Sequence, residues 1–338
     1  MGGIQIYDIK TDPVNPKFLG SWDTGVKGNN GVHRFYYNGG RYVHMASEGN
    51  RFEGLIYRIV DIEDPSAPVE VGNWWLPNQF VDGYPGRTFD PLAPHGPIFD
   101  PEFMQKASLH GPPFVLDDVA YCGYSGEGMI ILDVKDVTRP KMIGQLKLQP
   151  PFSSYRSGAK THTALPLPGR NLVVVTNEGE RFPWFSKDII GGQPQALNNL
   201  HMVDVSNLAE PVLVGEFPYP EVPENYPWPD FNDCGLGCNG PLGPHNIHEP
   251  MSNKPWLDQD PNRIYCCYFH AGMRVYDTSN QFHIKELAYF IPPTPTERRV
   301  SSDRGPLLPL TEDVIVDDRG NIFMSTYADG LYVLRMTI

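Results

Sequence analysis

The chain has 338 residues and a formal net charge of −13, which argues against nucleic acid or an anionic membrane as a partner. It contains no apolar run of the roughly 18 residues needed to span a bilayer. Its 33 glycines and 35 prolines, together with 12% aromatic residues and clear repeats, predict turns and loops rather than disorder.

A β-strand with a polar end and a proline turn recurs along the chain. The copies begin, in chain order, at Gly2, Gly54, Gly128, Asn199 and Ala271, and a sixth from Asp329 lacks the turn. One column of the repeat holds Asp8, Asp61, Asp133, Asp204 and Asp277. An Asp in this place caps a turn through its own side chain, and the following proline fixes φ. We therefore expect the Asp column to be structural.

Further alternating runs flank each copy. One follows the turn, as in PVEVGNW, another precedes the copy, as in RYVHMAS, and a strand that carries a histidine comes before that. Units of four short antiparallel strands without helical period predict the blades of an all-β propeller. Six blades fit the recurring strands most directly. Seven blades require one that is hidden in an insertion, or residues before Met1.

Three insertions interrupt the repeats, near residues 74–109, 180–199 and 219–243. Insertions in a repeat fold map to loops on one face, often the binding face. These are rich in large apolar side chains, which would line a pocket for a small molecule, form a core of their own, or pair subunits in a homo-oligomer. Because the repeats run end to end, we expect residues 1–338 to form one domain.

The repeat carries a recognisable signature. IVDIEDPSAPVEVG and MVDVSNLAEPVLVG resemble the LVIVD repeat of bacterial propeller proteins, and the resemblance spans nearly the whole chain. It implies the fold, whereas the functions of such proteins are mixed. A looser, architectural similarity is to carotenoid-cleavage oxygenases and selenium-binding methanethiol oxidases. Both place histidines from inner strands on an axial metal.

Four histidines and one glutamate share a slot in the repeat, upstream of the recurring strand. They are His33, His110, His162, His245 and Glu312. Innermost strands of a propeller converge on its axis, so we expect these side chains to meet there. The imidazoles would hold one divalent metal ion, for which we favour Fe(II) over Mn, Cu or Zn, with Glu312 as fifth ligand or general base.

A second column ends the next strand of each unit. It consists of Glu48, Glu127, Glu178, His270 and Asp329. Metal-ligating imidazoles usually donate their other N–H to a carboxylate or carbonyl. We therefore expect the pairs His33–Glu48, His110–Glu127, His162–Glu178, His245–His270 and Glu312–Asp329, although turn carboxylates are also commonly just solvated. Glu178 and Arg34 are further catalytic candidates, and Arg34 would anchor a carboxylate or phenolate of the substrate.

The leading hypothesis is a metal-dependent oxidoreductase that acts on a small apolar or aromatic compound, by analogy with the propeller oxygenases. A hydrolase or lyase would use the same metal, and metal-free His–Glu pairs would act as acid and base. A non-enzymatic scaffold would instead dock a protein or glycan on the aromatic loops. Histidines in a repeat also serve blade packing.

The five cysteines show no disulfide-scaffold spacing. Cys234 and Cys238 form a C-x3-C pair that fits a disulfide, two free thiols or half of a zinc site. The sequence opens on a strand without a signal peptide, which predicts a cytoplasmic protein. A signal before this sequence would make the protein periplasmic or secreted.

Overall fold

The structure, a computed structural model, describes residues 2–26, 31–80, 107–149, 152, 161–178, 198–227, 231, 243–250, 253–297 and 307–337. These ranges contain β-strands and a 3-10 turn at Pro77–Gln79, and no helix in them is long and apolar enough to cross a membrane. Most of the three predicted insertions lie outside the described residues, as do Cys234 and Cys238. Cys122, Cys266 and Cys267 are buried free thiols.

Five antiparallel sheets form the blades of a β-propeller. Blade 1 contains β3 (Val32–Tyr36), β4 (Tyr42–Glu48), β5 (Leu55–Asp61) and β6 (Val69–Trp74). Blade 2 contains β7 (Ser108–Leu109), β8 (Phe114–Leu116), β9 (Val119–Ser125), β10 (Gly128–Asp133) and β11 (Lys141–Leu146). Blade 3 contains β12 (Thr161–Pro166), β13 (Leu172–Asn177), β14 (Leu200–Asp204) and β15 (Val212–Glu216).

The last two blades have three named strands each. Blade 4 contains β16 (Arg263–Cys267), β17 (Met273–Asp277) and β18 (Lys285–Phe290), and blade 5 contains β19 (Thr311–Val316), β20 (Asn321–Thr326) and β21 (Gly330–Arg335). Residues 245–248 take the inner position of blade 4, because Ile247 forms a bridge with Cys266. Four-stranded blades are therefore the basic unit, as the repeats predict. In blade 2, β7 and β8 both pair with β9 and share the inner position.

The prediction of six or seven blades is wrong, because the described residues form five. The first repeat copy forms a separate two-stranded sheet of β1 (Gly3–Asp8) and β2 (Lys17–Asp23). It pairs with neither inner strands nor the last strand, β21, among the described residues. A recurring strand pair in the sequence therefore does not identify a complete blade.

The predicted turn role of the Asp column is confirmed. In every copy the aspartate accepts a hydrogen bond from the backbone N–H two residues later, at 2.7–3.0 Å, as with Asp133 and Lys135 or Asp204 and Ser206. Such an Asx turn fixes the reversal between the third and fourth strands. The column therefore sets the connection within each blade.

The hydrophobic core is divided into clusters that lie between consecutive sheets. Tyr57 and Ile59 of blade 1 pack with Ile130 of blade 2, and Met129 of blade 2 packs with Val173 of blade 3. Further clusters join blades 3 and 4, blades 4 and 5, and the β1–β2 sheet with blade 1. Each blade is thus stabilised chiefly by burying its apolar faces against its neighbours in sequence.

A glycine column brings consecutive sheets close together. A Cβ added to Gly72 or Gly144 would lie 1.9 Å from the carbonyl oxygen of Val137 or Leu208, in the proline turn of the next blade. Gly20 and Gly215 make equivalent approaches. Ala288 holds this place in blade 4, opposite Val275. The signature glycine is therefore required for packing between blades.

Gly144→Ala should lower the free energy of unfolding by about 1–3 kcal/mol, because the new methyl group forces blades 2 and 3 apart. Urea denaturation measures this change. The matched control is Ala288→Gly, at the same place in blade 4, which should cost no more than about 1 kcal/mol through backbone entropy. Equal, small effects of both substitutions would contradict the close approach as the reason for the glycine.

Candidate metal centre

The inner strands bring the first column of candidate residues together. The rings of His33 and His110 stack with their centroids 5.0 Å apart. His162 contacts both His110 and His245, at centroid distances of 5.0 and 4.3 Å. Glu312 Oε1 lies 3.6 Å from His245 Nδ1. Residues that are distant in sequence therefore form one continuous cluster at the axis, with one residue from each blade.

Irregular pairing accompanies each of these residues. Register shifts interrupt the pairing of β3 at His33, of β12 at His162 and of β19 at Glu312. His110 lies in the break between β7 and β8, and His245 lies just outside the named strands of blade 4. A β-bulge turns a side chain away from its regular direction and is common beside functional sites. The bulges thus let these strands present side chains to the axis.

His162 is fully buried and held in one tautomer. Its Nδ1 lies 2.8 Å from Thr163 Oγ1, and that hydroxyl donates to the carbonyl oxygen of His245 at 3.2 Å. The hydroxyl therefore accepts from His162 Nδ1–H, which leaves a lone pair on Nε2. His162 Nε2 is buried without a hydrogen-bond partner. A lone pair in this state is suited to bind a metal ion.

Glu178 follows β13 directly and lies under the histidines. Its Oε2 is 2.8 Å from His110 Nδ1, within ion-pair distance, although the angles are not those of a hydrogen bond and neither atom has another hydrogen-bond partner. Its Oε1 is 3.7 Å from His245 Nε2. The carboxylate is almost completely buried, at 2% exposure. Such a charge is costly to bury unless neighbouring charges or a metal ion compensate it.

The residues His110, His162 and Glu178 fit a divalent ion. One ligand atom from each lies within 4.8 Å of the other two. Two atoms that each lie about 2.1 Å from one ion are roughly 3 Å apart, which matches the 2.8 Å between His110 Nδ1 and Glu178 Oε2. Two imidazoles and one carboxylate are a donor set for Fe(II) and also for Zn.

Arg34 and Glu312 form the other side of the cluster. Arg34 Nη2 donates to Glu312 Oε1 at 3.1 Å and lies 3.4 Å from His245 Nε2. His245 Nδ1 donates to the backbone carbonyl of Glu312 at 3.0 Å, so its Nε2 carries the lone pair. Since Arg34 belongs to β3 and Glu312 to β19, this ion pair connects the first and the last blade at the axis.

Burial sets the protonation of the cluster. It is the main reason why the pKa of His162 lies well below the ordinary value, so His162 is neutral. Burial would raise the pKa of Glu178, but the adjacent imidazoles, His110 first, hold this pKa well below the ordinary value. Burial raises the pKa of Glu312, although His245 and Arg34 oppose it. The centre therefore combines a neutral imidazole with an ionised carboxylate.

The second column does not act as one set. Glu178 reaches the axis. It was expected to pair with His162 of its own blade, but its closest imidazole is that of His110 in blade 2. The predicted pair His110–Glu127 is not formed, because Glu127 Oε2 accepts from Lys147 at 3.1 Å in the turn before β10. The pair is missing because the offset between neighbouring blades, rather than the register within one sheet, decides which carboxylate reaches an imidazole.

The remaining members of this column have other contacts. His270 Nδ1 lies 2.8 Å from the carbonyl oxygen of Phe231, and Asp329 accepts from Tyr332 at 3.3 Å. These contacts replace the expected pairs with His245 and Glu312. Glu48 ends β4, and its backbone carbonyl accepts from Arg58 at 2.7 Å. His248 also has a structural environment, since Val316 N–H donates to its Nδ1 at 3.1 Å.

Several residues of the centre carried no sequence signal. Thr163 orients His162, and Phe269 stacks on His245 with the ring centroids 4.7 Å apart. Gly111 and Gly123 of blade 2 permit the approach of His162, because an added Cβ would lie 2.0 or 1.9 Å from its carbonyl oxygen. Of these residues, only the two glycines are visible in the sequence. Gly111 directly follows His110, and Gly123 interrupts an apolar strand.

The opposite end of the axis is closed mainly by apolar side chains, although Asn38 and Glu249 also line it. Tyr36 and Phe114 meet edge to face with centroids 5.2 Å apart, and Leu165 is buried beside them. A cavity of about 30 Å³ remains there, large enough for a water molecule. His33, at the other end of β3 from Tyr36, is exposed. Among the described residues, the cluster is therefore exposed on the side of His33.

Comparisons with known proteins agree with this architecture. The model of the LVIVD repeat matches residues 40–75, in blade 1, and residues 196–218, in blade 3. No curated protein matches the sequence. Fold and centre together define a β-propeller with an axial His/Glu cluster. The chain therefore carries LVIVD repeats within a β-propeller fold.

Solved structures of similar shape are also propellers. A hypothetical selenium-binding protein from Sulfolobus tokodaii is 13% identical, with a TM-score of 0.54 over 96% of this chain and 64% of its own. Sqt1 from Saccharomyces cerevisiae is 8% identical, with a TM-score of 0.48 over 99% and 65%. This chain thus spans less than two thirds of the length of either protein. The likeness to the Sulfolobus protein shows the fold.

In metal-free protein, His162 should remain the neutral Nδ1–H tautomer from pH 8 to pH 5, because burial holds its pKa well below the ordinary 6.5. Nitrogen-15 NMR of the imidazoles reports the tautomer directly. As the pH falls below 6.5, the unfolded chain takes up this proton first, so His162 should make the protein less stable in acid. An imidazolium signal from His162 at pH 6 would contradict this account, and the solvent-exposed His283 serves as the comparison residue in the same spectra.

Proposed function

We propose that the axial cluster binds one divalent transition metal ion and that the protein is a metal-dependent oxidoreductase. The observation that supports this proposal is the convergence of His110, His162 and Glu178, each of which has a buried polar atom without a hydrogen-bond partner. Native proteins rarely leave several adjacent polar atoms unsatisfied. A bound cation would satisfy all three at once.

The donor set favours Fe(II). Two histidines and one carboxylate with open coordination positions are typical of non-haem Fe(II) oxygenases. Bound there, the ion would supply redox chemistry and a Lewis acid. His33, His245 and Glu312 adjoin these three residues and lie close enough to contact a substrate. The same donors occur with Zn in hydrolases, so the identity of the metal separates the leading function from its alternative.

The surrounding residues have definable tasks. Thr163 keeps the Nε2 lone pair of His162 free, and the carbonyl of Glu312 does the same for His245. Glu312 is half-buried with a raised pKa, and its Oε2 has no hydrogen-bond partner, so it is suited to hold or release a proton. The apolar ring of Phe269 beside His245, together with the aromatic insertions, supports a small apolar or aromatic substrate.

Protein purified without a chelator should contain about one Fe per chain, as measured by elemental analysis. His110→Ala and His162→Ala should each lower the affinity for metal by more than the roughly 10- to 100-fold that follows the loss of an outer-shell partner. Competition with a chelating dye measures this affinity. Zinc in place of iron would support the hydrolase or lyase instead.

His201→Gln is the matched control. His201 is likewise buried against a glutamate, with its Nδ1 2.8 Å from Glu216 Oε1, but it lies outside the axial cluster. This variant should keep the metal. The proposal would be refuted by protein that remains free of metal after anaerobic reconstitution with Fe(II), Mn(II) and Zn(II) in turn. A metal-free acid–base centre or a binding scaffold would then be favoured.

A further inference from the structure

Arg34 occupies a second cation position in the axial cluster. Its Nη2 lies between two atoms that commonly bind metal ions, His245 Nε2 at 3.4 Å and Glu312 Oε1 at 3.1 Å. The lone pair of His245 Nε2 faces this guanidinium, since His245 Nδ1 donates to the backbone of Glu312. A positive charge therefore already stands where these two side chains would otherwise bind a metal ion.

Glu178 connects the two positions. Its Oε2 faces His110, which belongs with His162 and Glu178 to the first position. Its Oε1 faces His245 Nε2 of the second position, at 3.7 Å. A carboxylate with one oxygen toward each position is the usual bridge between two ions in dinuclear sites. The cluster thus has the donors of a two-cation centre, of which the chain itself supplies one cation.

We infer that Arg34 acts as this resident cation and limits the axial centre to a single metal ion. The inference rests on the proposed function, because it assumes that His110, His162 and Glu178 hold a metal. Guanidinium binds carboxylate oxygens through N–H groups and stays charged at every physiological pH. It therefore balances Glu312 without a metal and keeps His245 and Glu312 out of the ligand set.

The charge balance supports this assignment. Glu178 and Glu312 are the acidic members of the cluster, and Arg34 is its permanent cation. One divalent ion together with Arg34 gives three positive charges against two negative ones, and a second divalent ion beside Arg34 would add strong repulsion at short range. Loss of Arg34 removes this repulsion and exposes the atoms of His245 and Glu312.

The test is a titration with Mn(II), which both calorimetry and electron paramagnetic resonance detect. Wild-type protein should bind about one ion per chain, with the spectrum of an isolated ion. Arg34→Met should bind about two ions, with the spectrum of a spin-coupled pair. Arg34→Lys keeps a charge at this place and should bind about one ion. Arg34→Gln repeats the loss of charge should the methionine variant fold poorly.

His110→Ala separates this inference from the proposed function. The double variant His110→Ala/Arg34→Met should bind about one ion per chain. Adding His245→Ala should abolish this binding. If wild-type protein binds none and Arg34→Met binds one that depends on His245, Arg34 still keeps a metal ion away from His245 and Glu312, but the proposed metal site of His110, His162 and Glu178 fails. Equal stoichiometry in wild-type protein and in both uncharged variants overturns the inference, whether that number is one or none.

Discussion

The axial centre depends on the burial of one carboxylate. Glu178 is almost completely removed from water, and an isolated carboxylate in such a place carries a large desolvation cost. The residues around it are those that reduce this cost, with His110 Nδ1 at 2.8 Å and His245 Nε2 at 3.7 Å. His162, which is neutral, contributes a lone pair rather than a charge. A divalent cation would satisfy both kinds of donor.

The propeller fold makes this burial possible. Glycines in the fourth strands let each blade approach the turn of the next, and apolar clusters fill the space between blades. The inner strands are thereby held rigidly against one another, while bulges at His33, His162 and Glu312 present polar side chains to the axis. A site built on such strands is better preorganised than one built on loops. At the other end of the axis, Tyr36 and Phe114 pack edge to face.

The sequence predicted the fold and the convergence of the histidines, because both follow from the strand repeat. The Asp column marks the same turn in the β1–β2 sheet and in blades 1 to 4, and the Gly column marks the same packing contact in the β1–β2 sheet and in blades 1 to 3. The number of blades was wrong, because β1 and β2 carry the full signature without inner strands. Likewise, the partner of His110 was not predictable, since Glu178 comes from the neighbouring blade and no local pattern reports the offset between blades. Thr163 was also missed, because no sequence pattern shows that its hydroxyl contacts His162 at the β-bulge of β12.

The most direct test of the account is a crystal structure of the Fe(II)-reconstituted protein with anomalous diffraction recorded on both sides of the iron absorption edge. The account predicts one anomalous peak per chain, in contact with His110 Nδ1, His162 Nε2 and the carboxylate of Glu178, with Arg34 still paired to Glu312. A fully reconstituted crystal with no peak among these three residues, or with iron only elsewhere on the molecule, would contradict it.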